Sequence, residues 1–331
     1  MDEVLKVQNL KKYFPVRIGF ASSIFRRKEF FVKAVDNISF SVKKKEIFGI
    51  AGESGSGKTT TGRVILRLIQ PTSGKVFFNG KEILNLSESQ FKPFRSKMQI
   101  IFQDPYESLN PRFTIYDIVA EPLKVQKKLT NEGEIEKAVF DALESVKITP
   151  PEQFIFRYPH ELSGGQRQRV AMARALVVNP EFIVADEPVS MLDVSIRAEV
   201  LNILTELKEK RGVSFLFITH DLALIRHICD SVAIMYLGKV MEMGSVEKVI
   251  REPLHPYTRA LITAVPVPDP TSKRSEIVIK GEIPSPINPP SGCRFHTRCP
   301  SYIGDVCKTI EPELIEVDSE HSVACHLYNK R

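Results

Sequence analysis

The feature that most constrains this chain is a glycine-rich run, GESGSGKT, at residues 52–59. It satisfies the pattern GxxxxGK followed by Ser or Thr. The run lies between a short apolar segment, EIFGIAG (46–52), and a segment with helical apolar spacing, KTTTGRVILRLI (58–69). Glycines at a strand-to-helix turn let backbone N–H groups converge on phosphate, and the helix start adds positive potential. The run therefore predicts a phosphate site. Its predicted contacts are Gly52, Glu53, Ser54, Gly55, Ser56, Gly57, Lys58, Thr59 and Thr60.

A second motif, FIVADE at residues 182–187, is an apolar run that ends in two carboxylates. Two solvated acids at a strand end would give the same pattern, but the phosphate run upstream favours a functional interpretation. In that interpretation Asp186 lies near a Mg²⁺ ion that Thr59 also ligates, and Glu187 polarises the attacking water. The two motifs together predict a P-loop nucleoside triphosphatase, whose Lys58 reaches the β- and γ-phosphates.

The order of apolar segments predicts an α/β fold. Short buried strands alternate with helical patterns, as in SFLFIT (214–219) after an amphipathic segment at 195–211, which indicates a mainly parallel sheet. Residues 5–48 alternate in the manner of antiparallel strands, and 131–180 are mostly helical in pattern. We therefore expect a P-loop core with a parallel sheet, an N-terminal antiparallel β subdomain, an inserted helical subdomain and a cysteine-containing C-terminal extension. The expected bounds are 1–265 for the nucleotide-binding domain, about 104–180 for its helical subdomain and 266–331 for the extension.

Composition bounds the location of the chain. The 331 residues are 43% hydrophobic and 26% charged, with a formal net charge of +6, which is ordinary for a globular protein. No apolar run approaches the roughly 18 residues that span a bilayer, and the N-terminus does not resemble a signal peptide. We expect a cytoplasmic chain whose membrane role requires a partner. A basic and aromatic stretch, RIGFASSIFRRKEF (17–30), is interpreted as a long hairpin loop, with contact to lipid headgroups as the alternative.

A third motif narrows the class. LSGGQ (162–166) precedes a segment with helical apolar spacing, and it lies just upstream of FIVADE. Adjacent glycines weaken a helix interior, but at a helix start they let a phosphate approach bare N–H groups. This motif in this order resembles the signature of ABC-type ATPases. The resemblance implies a dimer in which Ser163, Gly164, Gly165 and Gln166 close over the nucleotide of the other subunit.

Further matches to the ABC family follow in the expected order. Gln103, in IIFQDP, resembles the glutamine that contacts Mg²⁺ and water, and His220 resembles the switch histidine at the γ-phosphate. SMLD (190–193) resembles the D-loop, usually SALD, and contributes Asp193; Met191 departs from the pattern and puts packing in question. The adenine-stacking aromatic is expected near the N-terminus. Phe14 fits the family spacing better than Tyr13.

The resemblance extends to the oligopeptide/dipeptide permease ATPases over nearly the whole chain. It is carried by four long motif segments and by LHPYTRALITAVP (254–266). It implies a peripheral motor at the cytoplasmic membrane face, paired with a sibling ATPase and acting on two permease subunits and, indirectly, a peptide-binding protein, with no nucleic acid. A nickel or metal-chelate importer of the same family is the main alternative. A soluble ABC protein of ribosomes or DNA is a further one, although one P-loop and one signature without sustained heptads disfavour it. The sequence does not define the cargo.

Four of the five cysteines, namely Cys293, Cys299, Cys307 and Cys325, fall in the last 39 residues. Such a cluster suggests metal ligation, and its form resembles the C-terminal motif associated with a 4Fe–4S cluster in this family. Zinc is the main alternative, although no CxxC pair is present; thiols without metal and disulfides are the others. His296, His321 and His326 are nearby candidate ligands, but we interpret them as surface residues. Cys229 is interpreted as a small buried residue.

Overall fold

The computed structural model describes residues 3–16, 30–127, 129–264, 279 and 281–328. Nearly all of the basic and aromatic stretch, residues 17–29, lies outside this range, and so do Pro266, Pro268 and Pro270 of the proline-rich boundary. The interpretation of 17–30 as a hairpin loop therefore stays a prediction.

The regular elements of the described residues are numbered here in chain order. The strands are β1 (Glu3–Val16), β2 (Phe30–Lys43), β3 (Ile47–Ala51), β4 (Ser73–Phe78), β5 (Lys81–Glu82), β6 (Met98–Ile101), β7 (Phe182–Asp186), β8 (Ser214–Thr219), β9 (Ser231–Tyr236), β10 (Lys239–Ser245), β11 (Ile315–Asp318) and β12 (His321–Val323). The helices are α1 (Lys58–Ile65), α2 (Glu88–Phe91), α3 (Pro105–Ser108), α4 (Ile115–Gln126), α5 (Glu132–Ser145), α6 (Gly164–Leu176), α7 (Val194–Arg211), α8 (Leu222–Ile228), α9 (Val246–Arg251), α10 (Pro256–Thr263) and α11 (Asp305–Thr309).

The chain divides into two compact units. The first comprises Met1–Leu5, Val42–Ile47 and Phe78–Ile218. Its strands β6, β7 and β8 lie side by side in parallel, with Val184 opposite Ile100 on one side and opposite Leu216 on the other. Every residue of β7 is buried, as expected for a strand covered on both faces. The parallel sheet and the helices α3 to α7 confirm the α/β class for this unit.

The second unit comprises Lys6–Ser41, Phe48–Phe77 and Thr219–Arg331. Its strands follow the order β11, β12, β10, β9, β3, and a separate sheet has the order β2, β1, β4. Strand β3 runs parallel to β9, with Ile50 opposite Ala233, whereas β10 pairs antiparallel with both β9 and β12. The C-terminal extension therefore contributes two strands to a sheet, which the sequence did not predict.

Local chemistry explains where the helices begin and end. Thr114 and Asn131 cap α4 and α5 by accepting a backbone N–H through their side chains, and Gly212, at φ 69°, ends α7 in the left-handed conformation. The buried face of α7 is apolar, although Ile196 at its start is only half-buried. Within the described residues, no helix has the length and apolarity needed to span a bilayer.

Candidate functional site

The predicted phosphate loop follows β3 directly and leads into α1 in the second unit. Gly52 and Gly57 have φ values of 151° and 102°, a region that favours glycine. A Cβ on Gly57 would lie 2.0 Å from the carbonyl oxygen of Ala34, and one on Gly52 would lie 2.1 Å from that of Met235. Both conformation and space therefore require glycine. The loop is pressed against neighbouring backbone and ends in the N–H groups that open α1, which is an anion-binding arrangement.

The loop residues divide into buried and exposed groups. The buried ammonium of Lys58 folds back and donates to the carbonyl oxygens of Gly52, at 2.7 Å, and Glu53, at 3.0 Å. The hydroxyl of Ser56 is buried without a hydrogen-bond partner among the described residues. Ser54 and Gly55 are exposed at the tip, and Thr59 and Thr60 are half-buried in the first turn of α1. An unpaired buried hydroxyl next to the start of a helix is consistent with a polar ligand at this place.

The predicted catalytic carboxylates lie at the end of β7 in the first unit. Asp186 is buried as the last strand residue, and Glu187 follows it with φ 46°, in the left-handed region that costs a non-glycine residue about 1 kcal/mol or more. The backbone N–H of Glu187 donates to the carbonyl of Ile218 at 2.9 Å. The side-chain amide of Gln103 donates to Glu187 Oε2 at 3.4 Å. The structure thus brings together two of the predicted catalytic residues.

The predicted signature forms the start of α6. Ser163 is the N-cap, its hydroxyl accepts from the N–H of Gln166 at 3.3 Å, and its own N–H donates to the side chain of Gln166 at 3.0 Å. This reciprocal capping box fixes the helix start. Ser163 is exposed and Gly164 is half-buried, with Leu192 Cδ2 4.0 Å from the position of an added Cβ, whereas a Cβ on Gly165 would lie 2.5 Å from Ile196 Cγ2. The turn therefore presents an outward face with N–H groups near its surface.

Two contacts that the sequence did not suggest tie the segment after Gln103 to α6. The guanidinium of Arg167 lies 3.8 Å from the ring centroid of Tyr106 and donates to its hydroxyl at 2.7 Å. Arg174, whose pKa is lowered by burial, donates to the carbonyl of Ser108. Guanidinium stacking and a charge-assisted hydrogen bond act on the same ring. We therefore expect a movement of the segment after Gln103 to displace α6 as well.

The remaining predicted residues occupy turns. His220 follows the last residue of β8 and is exposed, and Asp193 is the exposed N-cap of α7 without a side-chain capping bond. Met191, the departure from the usual D-loop, has 61% of its surface exposed. Its larger side chain therefore does not disturb the packing within this chain.

The two aromatic candidates for adenine stacking, Tyr13 and Phe14, differ in their contacts. The hydroxyl of Tyr13 donates to Asp36, and burial together with this bond raises the pKa of Tyr13. The ammonium of Lys33 also lies over the Tyr13 ring, at 5.6 Å from its centroid. Phe14 is half-buried, and the ammonium of Lys12 lies 4.7 Å from the centroid of its ring. The hydroxyl of Tyr13 is thus already hydrogen-bonded within the second unit.

The four C-terminal cysteines form no disulfide among the described residues. Cys293, Cys307 and Cys325 are buried, and burial raises the pKa of Cys293 to about 12 and that of Cys325 to about 11, with the charges of the other thiols as further causes. The thiols are thus near enough to one another to affect each other's pKa. However, the described residues contain no set of three or more Cys, His, Asp or Glu arranged to hold a metal ion. The donor chemistry of the thiols alone therefore fits a metal.

The nearby histidines also differ from expectation. His321 was expected on the surface, but it is buried and contacts Glu242 Oε1 through Nε2 at 2.8 Å, because β12 carries it into the sheet beside β10. His296 Nδ1 contacts the carbonyl oxygen of Cys293 and His326 Nε2 that of Ile310, both at 2.8 Å. Cys229, expected to be buried, is half-buried.

Comparison with known proteins agrees with this geometry. The family model described as ABC transporter matches residues 35–190, and the one described as oligopeptide/dipeptide transporter, C-terminal region, matches residues 241–307. The oligopeptide transport ATP-binding protein AppF of Bacillus subtilis is 51% identical over 99% of this chain and 98% of its own length. A putative peptide import ATP-binding protein of Brucella ovis is 48% identical over 97% of both chains.

Solved structures give the same class. The ATP-binding cassette MJ0796, in a dimeric post-hydrolysis state bound to ADP and Pi, matches with a TM-score of 0.63 and 29% identity over 73% of this chain and 98% of its own. The protein cbiO1 of Clostridium perfringens, part of an ABC transporter complex, has a TM-score of 0.64 and 29% identity over 76% of this chain and 92% of its own. The protein is an ATP-hydrolysing enzyme, and the chain belongs to the ABC transporter family as an ATP-binding protein of the oligopeptide/dipeptide type.

Proposed function

We propose that this chain is the ATP-hydrolysing motor of an importer for dipeptides and oligopeptides. The observation that carries the proposal is the match of residues 241–307 to the C-terminal region of oligopeptide/dipeptide transporters, in a chain that also has the phosphate loop, the carboxylate pair and the signature. Relatives about half identical over nearly their full length are named for peptide import.

The proposed chemistry assigns one task to each group. Lys58 and the N–H groups at the start of α1 hold the phosphates of ATP, and Thr59 and Asp186 hold Mg²⁺, which offsets phosphate charge. Glu187 polarises the attacking water, and Gln103 orients that water and the ion. His220 contacts the γ-phosphate. Phe14 stacks on adenine, since the hydroxyl of Tyr13 is engaged by Asp36.

The signature serves a different nucleotide. We propose that Ser163, Gly164, Gly165 and Gln166 close over ATP held by a second ATPase, and that Asp193 lies near the same interface. The exposed N-cap Ser163 and the absence, among the described residues, of any atom closer than 4.0 Å to a Cβ added at Gly164 support this role, because a helix start can receive phosphate only when its N–H groups are accessible. The working unit would then contain two shared ATP sites.

Glu187→Gln tests the catalytic assignment. The amide keeps the shape of the side chain but cannot take up a proton, so we expect ATP turnover to fall by roughly 100-fold or more while ATP binding is retained. Turnover is measured by phosphate release and binding by titration with a fluorescent ATP analogue. Glu247→Gln, in an exposed ion pair with Arg251, is the matched control and should change neither quantity. Unchanged hydrolysis in Glu187→Gln would rule out its role as the base.

The proposed partners are a sibling ATPase, two transmembrane permease subunits and, through them, a peptide-binding protein, which places this chain at the cytoplasmic membrane face. Affinity purification of the tagged chain should recover those subunits from solubilised membranes. Recovery of ribosomes or DNA instead would favour a soluble role. Deletion of the gene should impair growth on peptides as sole amino-acid source; impaired nickel uptake with normal peptide growth would identify a metal-chelate importer.

We also propose that Cys293, Cys299, Cys307 and Cys325 bind a 4Fe–4S cluster, with zinc as the alternative. The number of the thiols and the burial of three of them, at Cys293, Cys307 and Cys325, support this, because four thiolates ligate such a cluster. Protein purified without oxygen should be brown, with absorbance near ~400 nm from thiolate-bound iron. A colourless protein containing stoichiometric zinc would assign the site to zinc, and a metal-free, folded protein would leave the thiols without metal.

A further inference from the structure

The phosphate loop carries a carboxylate, Glu53, that none of the proposed steps uses. This carboxylate is held by Arg298, a residue 245 positions later in the chain. Arg298 Nη1 donates to Glu53 Oε2 at 2.8 Å and Nη2 donates to Oε1 at 3.3 Å, so the contact is a two-pronged ion pair. The side chain of Arg298 is 9% exposed and that of Glu53 is 24% exposed. Such a pair is shielded from solvent more than a surface pair is, and its geometry is specific.

The backbone of Glu53 is held as well. Its N–H donates to the hydroxyl of Tyr257 at 2.9 Å, and its carbonyl accepts from Lys58 at 3.0 Å. Tyr257 is fully buried, and its ring lies 4.8 Å from that of Tyr236, centroid to centroid. The hydroxyl of Tyr236 accepts from Arg298 at 3.3 Å. One loop residue is thus fixed at its N–H, its carbonyl and its side chain.

The segment that supplies Arg298 is itself rigidly attached. Arg294, four residues earlier, is buried and donates to Asp36 and to the carbonyl of Leu237. Phe295 is buried against the rings of Tyr236 and Tyr257, at 5.4 and 5.2 Å. The N–H of Arg298 donates to the carbonyl of Phe295 at 3.0 Å. Arg298 therefore approaches the loop from an anchored support within the second unit.

We propose that Arg298 is a positioning residue of the ATP site: it holds the phosphate loop in its binding conformation and neutralises the Glu53 carboxylate beside the bound phosphates. The inference rests on the proposed role of the loop in binding ATP. An uncompensated carboxylate in the loop would repel the phosphates of ATP, and repulsion is strong where water is partly excluded. Loss of the ion pair would also allow the Gly52–Glu53 backbone, which Lys58 bonds, to sample other conformations.

The test replaces Arg298 in the full-length chain and measures affinity for a fluorescent Mg–ATP analogue together with steady-state hydrolysis. Arg298→Met keeps an unbranched apolar stem but removes the guanidinium and its charge, and we expect ATP to bind about 10-fold more weakly. KM should rise by a similar factor while kcat at saturating ATP stays within about 2-fold, because the residue does not touch the reacting atoms. Arg298→Lys should recover part of the affinity. Lys248→Met, which removes an ion pair to Asp318 elsewhere in the extension, should leave binding unchanged.

A double-mutant cycle separates positioning from general structural support. Glu53→Gln removes the carboxylate that Arg298 neutralises, so the effect of Arg298→Met should shrink in that background, to about 3-fold or less. An unchanged affinity in Arg298→Met, or an equal loss with and without Glu53→Gln, would overturn the proposal. If Arg298→Met fails to fold by circular dichroism, the same cycle is run with Arg298→Lys. Lys58→Ala checks the underlying assumption: retained ATP binding there would refute the role of the loop, whereas loss there with normal binding in Arg298→Met would refute only this inference.

Discussion

This chain has two glycine-rich helix starts, the loop at Gly52–Gly57 and the turn at Ser163–Gly165, and their backbones are held in place by different contacts. Both are proposed to present backbone N–H groups to phosphate. The loop needs positive φ values at Gly52 and Gly57 and is packed against the backbone of other segments. The turn has helical glycines and is held by its own capping box. A loop whose conformation is fixed by packing against other segments can surround a ligand. A helix start that is fixed by its own capping box instead presents a surface to a ligand.

The largest effect should come from adding a methyl group where the loop is tightest. Gly57→Ala places a Cβ 2.0 Å from the Ala34 carbonyl oxygen at φ 102°, so the backbone must move. We expect ATP affinity to fall about 100-fold or more, which is ~2.7 kcal/mol, in a titration with a fluorescent analogue. Gly80→Ala is the control, since its φ is 77° and no atom lies within 4 Å of the added Cβ. It should lose about 1–2 kcal/mol of stability from strain alone and keep its ATP affinity. Equal affinity in both variants would refute the external-packing account.

Acidification should destabilise the region around His255 and Tyr257, which holds the backbone of Glu53 in the loop; among the described residues, the turn has no such contact with His255. His255 is buried, accepts from the N–H of Tyr257 at 3.0 Å, and has its pKa lowered from 6.5 to about 3 by burial and then by the charge of Arg259. Below pH 6.5 the unfolded chain takes up a proton that the folded chain does not, so this contribution to stability is complete above pH 6.5 and is lost progressively toward pH 3. The loss at pH 5 should be about 2 kcal/mol.

The measurement for His255 is urea unfolding across pH 5 to 7.5. His255→Asn keeps a side chain able to cap α10 but cannot titrate, so its stability should vary less over this range. An identical pH dependence in the two proteins would show that His255 does not charge on unfolding.

A smaller effect is expected inside the signature turn. Gly165→Ala adds a Cβ 2.5 Å from Ile196 Cγ2, and we expect a net loss of about 1 kcal/mol, because overpacking outweighs the better helix propensity of alanine. Thermal or urea unfolding measures it, with nucleotide affinity of the chain unchanged. Adding Ile196→Ala removes the contacting methyl and should abolish the penalty. A penalty that persists in the double variant would place the strain elsewhere.

The smallest effect should be a gain. Gly164 is the first residue of α6, and a Cβ added there would lie 4.0 Å from Leu192 Cδ2, so Gly164→Ala should make the chain more stable by about 0.5 kcal/mol. If the turn receives the phosphate of a second subunit, the same methyl group should reduce hydrolysis by the assembled transporter. Greater stability with full transporter activity would contradict the proposed role of the turn.

The sequence predicted those strands and helices whose bounds depend on neighbouring residues. FIVAD and SFLFIT are strands with the bounds expected, and the helix expected at 195–211 begins one residue earlier. Ser163 and Gln166 signal a capping box by their spacing alone. These elements are predictable because burial pattern, capping and glycine position act within a few residues.

Contacts between distant segments were not predictable. Nothing in the spacing of Glu53 and Arg298 says that they meet, and each alone resembles an ordinary surface charge. His321 was interpreted as a surface residue because it lies in a polar tail, but pairing of its strand with β10 buries it. Arg167 and Tyr106 could have been found only by knowing how α6 packs against α3. Such pairs depend on tertiary packing, for which a single sequence carries no direct signal.

The ion pair between Glu53 and Arg298 also bears on how this protein can be divided. Cutting the chain after residue 264 would preserve every motif that defines the ATPase, yet it would remove the only described cation bonded to the Glu53 carboxylate. A shortened ATPase of this kind would keep its catalytic residues but would bind ATP with altered affinity. Exchange of C-terminal extensions between relatives would change ATP affinity in the same way, so we expect the extension and the loop to evolve together.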